Sequence, residues 1–105
     1  MPETAKYDLG ELEGIKYTLF VQVNPSWDNP EKFVATIFYR KFEPKQLAET
    51  KIEVVRIDNK AHGTVHMDKL YEKGEPKEKL EMDFYEAWTH LKQNWQKYAN
   101  RFQNK

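Results

Sequence analysis

The sequence predicts an α+β fold: a mainly antiparallel four-stranded meander with a long C-terminal amphipathic helix packed on one face. Two observations predict it. Between residues 15 and 71, apolar and polar side chains alternate in runs separated by turn formers, the period of half-buried strands. From Phe84 to Phe102 the apolar spacing changes to three and four, which places one broad apolar face on a helix. A single helix with such a face has only the sheet to lie on, so the layering follows.

Residues 1–12 are polar with scattered apolar positions, and they fit a frayed end or an edge strand equally. Ile15, Tyr17, Leu19, Val21 and Val23 alternate with Lys16, Thr18, Phe20 and Gln22 and predict the first strand. Asn24 to Pro30 concentrates turn formers, with two prolines that cannot donate to a ladder, and reads as a loop. Phe33 to Arg40, rich in β-branched and aromatic residues, predicts a hairpin partner for the first strand. Pro44 marks a break, and Thr50 to Asp58 predicts a third strand. Asn59 to Gly63 is a turn by composition, and Thr64 to Tyr71 predicts a fourth strand. Residues 72–79 are nearly all charged, with Gly74 and Pro76, and read as a solvated loop. Asp83 followed by Glu86 is a capping-box pattern that opens the helix. Phe84, Ala87, Trp88, Leu91, Trp95, Tyr98, Ala99 and Phe102 form its apolar face. His90 is expected to sit on an exposed flank, paired with Glu86 one turn earlier.

Composition limits the function classes. With 105 residues the chain is one domain, 1–105, and it contains no cysteine, which excludes disulfide scaffolds, thiolate metal sites and cysteine nucleophiles. Seventeen basic and seventeen acidic residues cancel, so no global field favours nucleic acid. No apolar run nears the roughly 20 residues that span a bilayer. Met1-Pro2-Glu3-Thr4 lacks the basic start of a signal peptide, so a cytoplasmic location away from membranes is expected. No phosphate-binding loop or dinucleotide fingerprint occurs, no cofactor is implied, and Ser26, the only serine, lacks a nucleophile elbow.

One stretch concentrates chemistry, Arg56-Ile57-Asp58-Asn59-Lys60-Ala61-His62-Gly63-Thr64-Val65-His66-Met67-Asp68-Lys69. Arg56 and Asp58 share strand parity, as do His66 and Asp68, so pairing through the turn would gather all four at one end of the sheet. Histidine exchanges a proton near neutral pH, an aspartate orients its ring, and a cation steadies phosphate charge. That set suits metal-independent RNA cleavage, in which the 2′-hydroxyl is the internal nucleophile. The same residues also fit structural ion pairs on a solvated face, with Gly63 in a turn, and that plainer account has the greater weight. His62, His66 and Asp68 also have the residue types of a three-ligand metal set, although Gly63, Thr64 and Val65 disfavour the helix that would align them. Trp27, in the proline-rich segment, is either a partner contact or a cap on the end of the sheet. Lys92, Lys97 and Arg101 on the helix answer its dipole or meet RNA.

On this Arg56-to-Asp68 stretch the chain resembles small prokaryotic proteins with a histidine-containing turn before a strand. In outline it is similar to the TumE-like toxins of toxin–antitoxin pairs, short chains with an antiparallel sheet and helical flanks. The resemblance implies ribonuclease or translation-inhibiting activity and a cognate antitoxin protein. It singles out His62, His66 and Asp68 as functional positions, supported by Arg56 and Asp58. In that reading His66 is the general acid or base, Asp68 or Asp58 orients an imidazole, and Arg56 holds a phosphate. The alternative is a non-enzymatic interaction module. Phe20, Val34 and Phe38 lie on the parity opposite to the main apolar rows, so the second sheet face is not simply polar, and a homodimer is expected.

Overall fold

The computed structural model describes residues 3–43, 45, 47–59, 65–69 and 78–104. It is an antiparallel meander in which strands β1 (Glu3–Leu12), β2 (Ile15–Ser26), β3 (Asn29–Glu43), β4 (Ala48–Asp58), β5 (Val65–Lys69) and β6 (Glu78–Leu80) pair in chain order. Helix α1 (Phe84–Gln103) lies across one face of it. The α+β class and the C-terminal helix are as the periodicities require. Among the described residues there are six strands where four were expected. Residues 3–12 form a full edge strand, because Ala5 and Tyr7 stand opposite Val21 and Leu19 and extend the buried face. Residues 78 and 79, expected in a charged loop, belong with Leu80 to a short strand that pairs with β5, Leu80 opposite Val65.

The β1–β2 hairpin closes on Glu13 and Gly14, both with positive φ, the two-residue turn whose twist matches that of its strands. The expected loop from Asn24 to Pro30 shrinks to Trp27 and Asp28, since β2 and β3 continue to Ser26 and Asn29. Pro25 and Pro30 are tolerated inside strands because both fall within the register irregularity between Asn24 and Ser26. A second irregularity, opposite Ile37 and Phe38, leaves Val54 as the extra residue of β4.

The core lies between the helix and one sheet face. Tyr17, Leu19, Val21, Val23, Phe33, Ala35, Ile37, Val55, Ile57 and Met67 supply the sheet side. Phe84, Ala87, Leu91, Trp95, Tyr98, Ala99 and Phe102 supply the helix side, with Trp88 half-buried beside them. Ring contacts tie the layers: Trp95 to Tyr17 at 5.6 Å, Phe84 to Phe33 at 5.5 Å and Phe102 to Tyr39 at 5.2 Å. The capping box at Asp83 forms in both directions, the Asp83 carboxylate accepting from the Glu86 N–H and the Glu86 carboxylate from the Asp83 N–H. His90 corrects the expected flank pair. Its Nε2 lies 2.6 Å from the Tyr98 hydroxyl, two turns on, and that hydroxyl donates to Met67 Sδ at 3.6 Å. No helix among the described residues is long and apolar enough to cross a membrane.

Candidate functional site

The face of the sheet turned away from α1 carries the four candidate catalytic side chains that can be placed, Arg56, Asp58, His66 and Asp68. Its rows follow from register. One row runs Thr4, Gln22, Val34, Asp58 and His66 across β1 to β5, and the next runs Lys6, Phe20, Thr36, Arg56 and Asp68. Then come Asp8, Thr18, Phe38 and Glu53, and finally Glu11, Lys16, Arg40 and Lys51.

The expected convergence of Arg56, Asp58, His66 and Asp68 occurs. Arg56 is directly opposite Asp68, and Asp58 directly opposite His66. Asn59 secures this end of β4: its side-chain carbonyl accepts from the Phe33 N–H at 2.8 Å and its amide donates to the Glu31 carbonyl at 2.9 Å. Arg56 is spent on carboxylates. Its Nε lies 3.2 Å from Asp58, its Nη2 3.5 Å from Asp68 and its Nη1 3.6 Å from Glu53. Three carboxylates around one guanidinium leave a local excess of negative charge, which opposes a phosphodiester there. Among the described residues no hydrogen bond reaches the His66 ring, and no group of three or more acidic or histidine side chains is arranged to hold a metal. His62, Lys60 and Gly63 lie outside the described residues, so the His62–His66–Asp68 set has no geometry to report. Trp27 is a cap on the end of the sheet: its ring packs 5.8 Å from Phe84, and its carbonyl accepts from the Tyr85 hydroxyl at 2.7 Å.

At a second place on this face the sequence shows the two phenylalanines but not the cations beside them. Phe20 and Phe38, both half-buried, meet edge to face at 6.5 Å in the middle of the open surface. With Lys6, Thr18, Arg40 and Lys51 they line a shallow depression of about 240 Å³. Its charged lining is three cations and no carboxylate. Lys51 holds its ammonium 5.9 Å above the Phe38 ring, and Arg40 donates to the Thr18 hydroxyl at 3.4 Å. Parity alone reveals the two phenylalanines. The clustering of Lys16, Arg40 and Lys51 on one row depends on a register that includes the extra residue Val54, and no local pattern shows that.

Residues 7–105 match the family described as a domain of unknown function, DUF7718, and the chain belongs to that family. Comparison with curated proteins returned no match. Comparison with solved structures returned none either.

Proposed function

We propose that this member of the DUF7718 family is a non-catalytic binding module whose working surface is the open face of its sheet. The observation that supports it is the depression around Phe20 and Phe38, an apolar floor ringed by Lys6, Arg40 and Lys51 on a face that the helix leaves bare. Exposed aromatic surface rimmed by charge is what recognition sites use, and the helix side already has its own core. The Arg56 cluster takes a structural role here, joining β4 to β5 through ion pairs.

A second reading has its own observation. His66 stands directly opposite Asp58, one row from Arg56, which is the residue set of the metal-independent ribonuclease reading and of a toxin held by an antitoxin. RNA cleavage by purified protein separates the two, with wild type beside His66→Ala, each with and without EDTA. The module reading expects intact RNA in all four lanes. Cleavage by wild type that His66→Ala abolishes and EDTA spares replaces it with the ribonuclease reading.

A further inference from the structure

We infer that the open face binds single-stranded nucleic acid, with phosphates along the Lys16–Arg40–Lys51 row and bases stacked on Phe38 and Phe20. The inference rests on the binding-module reading and names its ligand.

Register is the first argument. Lys16 is opposite Arg40, and Arg40 is opposite Lys51, so three cations stand side by side across β2, β3 and β4. Like charges directly opposed on neighbouring strands repel one another, and their positive field is one that a chain of phosphates answers. Glu11, opposite Lys16, is the only carboxylate in it. Adjacent strands are about 4.8 Å apart, so the outer cations are separated by about 10 Å, a length that one polynucleotide backbone of two or three residues covers.

The aromatic pair is the second. Phe38 precedes Arg40 by two residues on β3, and Phe20 follows Lys16 by four on β2, so both rings lie to one side of the cation row. Both are half-buried and turned from the core. A positively charged track beside aromatic rings is the arrangement that holds unpaired bases without reading their sequence. Paired bases cannot offer their faces to such rings, so duplex is disfavoured. A second copy of the chain meets the same cations across a two-fold axis unless it shifts them onto the Glu53–Asp58–Asp68 end. The balanced net charge is compatible with this, because the acids that cancel these cations include Asp68 and Asp58, two and three rows away, with Glu53 opposite Phe38 drawn to Arg56.

The test is fluorescence anisotropy with labelled single-stranded RNA, single-stranded DNA and duplex DNA of equal length, over a range of salt. The wild type is expected to bind both single strands at least tenfold more tightly than duplex. Its log–log salt slope should be about −2, the value for about three phosphate contacts on a single strand. Phe38→Leu and Phe20→Leu keep apolar bulk but lose the ring face, and each should weaken binding about tenfold with the slope unchanged. Lys51→Gln should make the slope about 0.7 shallower. Absence of binding, equal binding to duplex, or indifference to both leucine variants overturns the inference. A wild-type dimer by light scattering that Phe38→Glu converts to a folded monomer also overturns it, giving the face to a second copy while the module reading stands. Degraded RNA removes the non-catalytic reading instead, and binding to single-stranded DNA then judges the surface by itself.

Discussion

Gly10 lies directly under the indole of Trp95: a Cβ at Gly10 would come within 2.9 Å of Trp95 Cζ2. The glycine has φ of 147° and sits where the β1–β2 register shifts, so the edge strand bends there and lets the indole close over the backbone. Gly10→Ala therefore meets two penalties, a backbone conformation that L-residues rarely adopt and a clash with a core ring. The expected loss is about 2–4 kcal/mol, read by urea denaturation. Gly14→Ala, also at positive φ but with open space around it, should cost only about 1 kcal/mol. Equal losses at the two glycines would remove the contact with Trp95 from the explanation.

Asp83→Ala removes one half of the capping box and leaves the Glu86 N–H without its partner. The expected cost is about 1 kcal/mol, seen as a lower Tm. Asp83→Asn keeps the accepting oxygen and should recover most of it. Failure of asparagine to rescue would assign the effect to charge at the helix N-terminus instead.

The helix was legible in the sequence because its signals are local: the cap, the spacing of Phe84 to Phe102 and the face they share all lie within one element. The first strand and its partner were legible for the same reason. What escaped depends on pairing between distant residues. Residues 3–12 become a strand because β2 offers an edge whose buried residues Ala5 and Tyr7 complete, and Pro25 and Pro30 stay in strands because the ladder is already interrupted beside them. The gathering of Arg56, Asp58, His66 and Asp68 followed from parity across one turn. Arg56's engagement with Glu53 did not, since Val54 breaks the alternation between them. His90 misled for a related reason. Glu86 one turn away is a plausible partner by spacing, yet Tyr98, drawn inward over Met67, presents its hydroxyl instead.

Tyr17 makes stability depend on alkaline pH. Its ring is enclosed between Tyr39 and Trp95, its hydroxyl has no hydrogen-bond partner among the described residues, and burial, aided by Tyr39 and Glu13, pushes its pKa from 10.0 to about 12. A folded-state pKa above the unfolded one means that the folded chain holds this proton more tightly. The associated stability is complete below pH 10 and is lost as pH rises from there toward 12. Tyr17→Phe keeps the ring and removes the titration. The variant should match or slightly exceed wild type at pH 7 and lose less stability between pH 9 and pH 11.5, measured by urea titration at each pH. Parallel decline of the two proteins would place the alkaline sensitivity elsewhere.

Arg56 and Asp68 test the division of labour on the open face. Asp58 is only 9% exposed and shares the guanidinium with Asp68 and Glu53, so Arg56→Met removes a cation from between three neighbouring carboxylates. Partial exposure moderates the loss, which should be about 1–2 kcal/mol. Asp68→Asn, which leaves Arg56 its other two partners, should cost less. In the double variant the two effects should fall short of additivity by about 0.5–1 kcal/mol, the coupling of a contacting pair. Oligonucleotide affinity and its salt slope should stay within about twofold of wild type in Arg56→Met, because the guanidinium is committed to carboxylates and belongs to a different part of the face from the Lys16–Arg40–Lys51 row. A tenfold loss of affinity in a folded Arg56→Met protein would mean that Arg56 reaches the ligand, and would bring His66 and Asp58 back as the chemistry beside a bound phosphate.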